Sequence, residues 1–215
     1  MRALIIANGP LTQEPKLSSD DLLIAADGGA RHCLELGLSP QVVIGDMDSL
    51  TAEELGTLES GGSQIIRHPA HKDFTDLELA LSYAVERGAD PILVYGALGA
   101  RWDQTLANLL LPAAVEFTAA RIRLIDGAQE IQLLRGGESL EITGSPGDTV
   151  SLVPVAGDAS GITTEGLEYR LLDGNLVFGS TRGISNVLIA GRATVSLREG
   201  LLVCILIRMN ELIAW

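Results

Sequence analysis

The sequence predicts two domains of different class: an α/β N-terminal domain with a mostly parallel sheet flanked by helices over residues 1–127, and an all-β sandwich over residues 128–215. Three observations lead there. Short apolar runs that break at Gly or Asp recur through the first part. Helical periods lie between the later runs. After Asp126-Gly127 the pattern changes to β-branched or alternating segments separated by Gly-rich turns.

The elements follow in order. "ALIIANG" and "LLIAADGG" read as strands buried on both faces, and "QVVIGD", "SQIIRHP", "PILVYGALG" and "RIRLIDG" repeat the pattern. In "DFTDLELALSYAVERG" the apolar Leu77, Leu81, Ala84 and Val85 share one helical face and Gly88 closes the segment. "WDQTLANLLLPAAVEFTAA" reads likewise, kinked or divided at Pro112. The second part offers strands at "EIQLL", "SLEITG", "TVSLVPV", "LEYRLLDGNLVFG" and "RATVSLREGLLVCILI", with a hairpin turn at "DGN" and no helix before the last few residues.

Composition narrows the function. The 215 residues carry a net charge of −13, with 28 acidic against 15 basic side chains, which disfavours a nucleic-acid partner or an anionic membrane surface. Only Lys16 and Lys72 are lysines, so a bound anion must be met by arginine, backbone amides or a metal. Cys33 and Cys204 lack metal-ligand spacing and read as reduced structural thiols, consistent with a cytoplasmic chain. The apolar start is too short for a signal peptide, and no run reaches membrane-spanning length, so a soluble protein is expected.

Acidic motifs sit at the predicted strand ends, where parallel α/β sheets bind ligands. "DGGAR" supplies Asp27, with Gly28 and Gly29 permitting close backbone approach. "GDMDS" supplies Asp46, Asp48 and Ser49. "KDFTD" supplies Lys72, Asp73, Thr75 and Asp76, and "GALGARWDQTLAN" supplies Arg101, Asp103 and Asn108. Each has a bland counterpart: Asp73 or Asp103 as a helix cap, Thr75 with Glu78 as a capping box, Asp46 and Asp48 as a tight turn. Taken together, so many carboxylates on one edge call for a divalent cation. Oxygen ligands without His or Cys suit Mg2+ carrying a polyphosphate, with Arg101 and Lys72 as the basic partners. There is no P-loop signature and no G-x-G-x-x-G after the first strand, which excludes an ordinary P-loop kinase and disfavours dinucleotide oxidoreduction. His68 and His71 are either solvated loop residues, the preferred reading, or a source of a general base. Trp102 either stacks on a ring or anchors a helix start, and Ser49 is either a metal or phosphate contact or a plain turn hydroxyl.

These motifs, in this order, resemble the thiamine pyrophosphokinase family: "ADGGA", "GDMDS", "KDFTDLELAL" and "GALGARWDQTLAN", followed by "GLEYRL" and "STRGISN" in the β-rich part. The resemblance spans nearly the whole chain, with Arg31 and Val187 standing where the family often has Asn and an acidic residue. It implies transfer of pyrophosphate from ATP to the hydroxyethyl oxygen of thiamine, giving AMP and thiamine diphosphate, by a homodimer whose sites are shared between subunits. By the resemblance, Asp46, Asp48, Asp73, Asp76 and Asp103 handle magnesium and phosphate. Asp73, Asp76, Arg101 and Asp103 form the catalytic set, with Asp73 and Asp103 the better candidates for the base. Asp27, Gly28 and Gly29 line the nucleotide side, and Ser49, Lys72, Thr75, Gln104 and Asn108 contribute to substrate binding. Ser185 and Asn186 meet the thiamine ring from the β-rich domain, which would also dimerise. Two alternatives remain: another Mg2+-dependent pyrophosphoryl or nucleotidyl transferase acting on a small alcohol, and a non-catalytic nucleotide or thiamine sensor.

Overall fold

The computed structural model describes residues 1–71 and 73–212, which divide into two compact units, Met1–Asp126 and Gly127–Trp215. In the first, six strands form one parallel sheet: β1 (Ala3–Ile6), β2 (Leu22–Ala26), β3 (Val42–Gly45), β4 (Gln64–Arg67), β5 (Ile92–Tyr95) and β6 (Ile122–Asp126). The register runs Ala3↔Leu22 on one side of β1 and Ala3↔Ile92 on the other, with β3 and β4 beyond β2 and β6 beyond β5. The near-continuous burial of β1, β2, β3 and β5 explains why their sequences run apolar rather than alternating.

Helices cover both faces. α1 (Gly29–Glu35) and α2 (Ala52–Ser60) lie on one, where Ala30, Cys33 and Leu58 join Leu4, Ile6, Leu23 and Val43 in a buried cluster. α3 (Asp76–Glu86) buries Leu77, Ala80, Leu81 and Ala84 and packs on β1, β2 and β3. α2 starts at a complete capping box: the Thr51 hydroxyl accepts from the Glu54 N–H and the Glu54 carboxylate accepts from the Thr51 N–H. At α3 only half of that arrangement exists: Thr75 is the N-cap, accepting from the Glu78 N–H at 3.2 Å, and Asp73 stands before the cap.

Two expectations need correction. The helix read through "WDQTLANLLLPAAVEFTAA" ends early: α4 spans Trp102–Leu110, and short 3-10 turns at Leu111–Ala113 and Val115–Phe117 replace the rest. Pro112 lacks the N–H that an α-helix would need there. The hairpin read through "LEYRLLDGNLVFG" is also absent. Leu167 makes an isolated bridge to Leu188, Asp173 has φ +48, and only Gly174–Leu176 is a strand. That strand pairs with an earlier segment rather than with the residues just before "DGN".

The second unit is a sandwich of two antiparallel sheets followed by a short terminal helix, α5 (Met209–Leu212). One sheet orders β12 (Asn186–Val187), β9 (Thr149–Pro154), β14 (Leu201–Ile207) and β7 (Gln129–Arg135). The other orders β11 (Gly174–Leu176), β10 (Ala159–Glu165), β13 (Arg192–Ser196) and β8 (Ser139–Thr143). Alternate residues face inward, so Leu202, Cys204 and Leu206 of β14 meet Ile162, Ala193 and Val195 in a single core. Burial pushes the thiols of Cys33 and Cys204 up to about 12, the behaviour of inert packing residues.

Candidate active site

β1 is flanked by β2 and by β5, and the connections leaving β1 and β5 diverge to opposite sides of the sheet. A crevice therefore opens at the carboxyl ends of these strands. It is a cleft of about 460 Å³ whose floor is the loop after β1, with Asn8 and Gly9, and the loop after β5, with Gly96 and Gly99. The two loops are stitched together: the Gly9 N–H donates to the Gly96 carbonyl at 2.8 Å, and a Cβ on Gly9 would collide with that same carbonyl oxygen. Asp27 and Asp76 form one wall. Arg101, Gln104 and Asn108 of the α4 segment form the other.

Three carboxylates converge. Asp27, Asp46 and Asp76 each offer an oxygen within 4.8 Å of the others, and they are the one such group among the described residues. Close backbone packing brings them together. The Asp27 N–H donates to the Ile44 carbonyl at 2.8 Å, and Gly45 passes so near that a Cβ there would stand 2.7 Å from the Asp27 Cβ and 3.1 Å from Asp76 Oδ1. Asp27 itself is only 4% exposed, and its Oδ1 has no hydrogen-bond partner among the described residues. A buried carboxylate oxygen without a donor is costly unless a cation completes it.

The remaining acids lie outside this group. Met47 takes φ +67 and buries its side chain, so Asp46 on one side of it joins the group while Asp48 on the other is exposed. Asp46 Oδ1 accepts from the Asp48 N–H, and Asp48 Oδ1 accepts from the Ser49 hydroxyl at 3.2 Å. Asp73 is exposed in the bend before α3. Asp103 is two-thirds exposed and paired with Arg101, Nη2 to Oδ2 at 2.6 Å. Hydrogen bonding to that guanidinium holds the Asp103 carboxyl below its ordinary range and raises Arg101. Of the five aspartates expected to handle magnesium, Asp46 and Asp76 belong to this three-carboxylate group, together with Asp27, read from sequence as a nucleotide contact.

Other expected residues have definite places. Gly28 and Gly29 begin α1 where any Cβ would strike the Asn8 side chain or the Ile6 carbonyl. Thr75 and Gln104 line the cleft. Asn108 lines it too, while its Nδ2 donates to the Ala97 carbonyl at 2.7 Å and so fixes the loop after β5. Lys72 lies outside the described residues. His68 and His71 sit in the loop after β4 and do not line the cleft. Trp102, the first residue of α4, is 80% exposed. In the second unit Ser185, at φ +60, donates its N–H to the Ser151 hydroxyl. Asn186 grips the Tyr169 backbone from both sides, Oδ1 accepting from its N–H at 2.9 Å and Nδ2 donating to its carbonyl at 2.7 Å. Asn186 and Tyr169 line a pocket of about 280 Å³ with Arg170, Arg182 and Ile184. Sequence reading passed over Asn8, whose signal was its position directly after the first strand.

Comparison with known proteins identifies relatives of both parts of the chain. A family profile described as "Thiamin pyrophosphokinase, catalytic domain" matches residues 14–124, and one described as "Thiamin pyrophosphokinase, vitamin B1 binding domain" matches residues 138–202. A thiamine pyrophosphokinase of Bacillus subtilis (strain 168) is 35% identical over 205 residues, covering 94% of this chain and 96% of the relative. The crystal structure of thiamine pyrophosphokinase from Bacillus subtilis superposes with a TM-score of 0.86 at 32% identity, covering 97% of this chain and 100% of that one. A thiamin pyrophosphokinase family protein from Enterococcus faecalis gives a TM-score of 0.85 at 30% identity, with 97% and 99% covered.

Proposed function

The chain belongs to the thiamine pyrophosphokinase family, and from that premise we propose how its residues serve the ATP-dependent pyrophosphotransfer that defines such an enzyme. Asp27, Asp46 and Asp76 hold Mg2+, an all-oxygen donor set of the kind a hard cation takes. When bound, the cation neutralises charge on the ATP phosphates. The chain's own residues do the rest. Arg101, at the lip of the cleft, offers guanidinium N–H groups to phosphate oxygens, and release from Asp103 would free them. Gly96 and Gly99 let the backbone lie against the nucleotide, and Asn108 keeps their loop in place. Asp103 or Asp73 accepts the proton of the thiamine hydroxyethyl group as its oxygen attacks the β-phosphorus and AMP departs.

The pocket of Tyr169, Ile184 and Asn186 takes the thiamine ring, with Ser185 beside it and Asn186 setting the position of Tyr169. The protein works as a homodimer, a reading supported by exposed apolar side chains on the second unit at Leu172, Val177, Phe178 and Ile189. No helix among the described residues is long and apolar enough to cross a membrane, and the two free buried thiols support a cytoplasmic location.

One observation carries the magnesium assignment: the partnerless, buried Oδ1 of Asp27 within a three-carboxylate group at the mouth of the sheet. The test is product identification by phosphorus NMR in a mixture of enzyme, ATP, thiamine and Mg2+. AMP and thiamine diphosphate are expected, and EDTA should abolish both. ADP with thiamine monophosphate would reject the reaction.

A further inference from the structure

Arg31 lies one helical turn beyond Asp27, on the α1 helix that starts at the Asp27 turn, and it reaches across to the loop that carries Asp46. Its Nη2 donates to the Ser49 carbonyl, three residues past Asp46, and its Nε donates to Glu54 Oε1 at 2.8 Å. Glu54 is already engaged from the other side, since its Oε2 accepts the Thr51 N–H at 2.7 Å in the capping box of α2. A single guanidinium therefore ties together the helix after Asp27, the end of the Asp46 loop and the first turn of the next helix.

The loop so held has little freedom left. The Asp46 carboxylate accepts from the Asp48 N–H, Ser49 bonds to Asp48, Asn8 Nδ2 reaches the Ser49 hydroxyl at 3.5 Å, and Met47 is packed into the core. The Ser49 carbonyl is where α1 grips this rigid piece. The Arg31 and Glu54 side chains are 43% and 22% exposed, and ion pairs that open to water add little to global stability. Their position, rather than their energy, is what matters.

We propose that Arg31, oriented by Glu54, is a positioning residue that sets the distance between Asp27 and Asp46 and thereby the affinity of the site for its divalent cation. The inference rests on the reading of Asp27, Asp46 and Asp76 as a cation site. Glu54 is pulled down to about 2, chiefly by its hydrogen bond from Arg31, so the clamp stays ionised throughout the neutral range.

The test uses the full-length protein with Mn2+ as the probe, free ion being counted by electron paramagnetic resonance. Arg31→Ala should weaken Mn2+ binding about tenfold, the low end of what residues orienting a metal ligand contribute. Glu54→Gln, nearly the same shape, should weaken it by a smaller factor of the same sign, and Arg31→Lys should recover only part of the loss. In turnover, the Mg2+ concentration for half-maximal rate should rise in parallel while kcat at saturating Mg2+ falls less. Unchanged Mn2+ affinity in both Arg31→Ala and Glu54→Gln, beside a weakened affinity in Asp46→Asn, overturns the role of Arg31 and leaves the cation site standing. Wild-type affinity in Asp46→Asn removes the site and this proposal with it.

Discussion

The carboxylate group drawn from the turns after β2 and β3 and the first residue of α3 differs from the start of α4 in how it holds its aspartates. In the first region, close contacts at Gly45 and Gly28 press the backbone together, and the carboxylates of Asp27, Asp46 and Asp76 lie within reach of one another. In the second, Asp103 is solvated and neutralised by Arg101 two residues away. The first arrangement leaves the Asp27 Oδ1 without a hydrogen-bond partner among the described residues, and the second is an exposed ion pair. On the proposed reading the first holds the metal and the second exchanges its arginine with a phosphate.

The sharpest way to break this contrast is to neutralise one acid of each kind. Asp27→Asn should lower Mn2+ affinity on the order of a hundredfold, whereas Asp103→Asn should leave it within about twofold while slowing turnover. Equal losses of Mn2+ affinity in a titration would place Asp103 among the ligands and dissolve the distinction. A smaller effect is expected from Gly45→Ala. The added methyl must push on Asp27 at 2.7 Å, so activity should fall and chemical denaturation should show a loss of about 1–3 kcal/mol. Wild-type stability and activity in that variant would mean the β3 end can move away freely.

The smallest effect concerns pH. The Asp103 carboxyl is held below its ordinary range chiefly by Arg101. Whatever it adds to stability is present above the unfolded-state value and is lost as pH falls through the lower folded value. Because the pair is exposed, melting temperatures of Asp103→Asn and wild type should coincide within about 2 °C from pH 6 down to pH 3. A larger gap that closes on acidification would show the pair to be structural.

Much of this architecture is visible in the sequence. Strands buried on both faces leave unbroken apolar runs, so β1, β2, β3 and β5 are readable on that ground, while β4 and β6 are less buried, and the strand-end rule locates the acidic edge. Which acids meet is not readable. Asp46 and Asp48 fall on either side of Met47, whose φ is positive; one joins the carboxylate group and the other is exposed. α1 and α2 were not legible as helices, because α1 has only seven residues and α2 buries little beyond Leu58. The segment 167–173 has the composition of a strand, but the Asn186 amide binds the Tyr169 backbone where a neighbouring strand would.

The central place of β1 has a consequence for synthesis. Its residues pair with β2 almost as soon as both exist, yet its other edge waits for β5, some ninety positions later. A nascent chain emerging from the ribosome therefore carries Asp27 and Asp46 on a half-finished sheet, with one wall of the nucleotide crevice still untranslated. The pairing available to β1 before β5 exists is that with β2, over the apolar layer beneath α1 and α2.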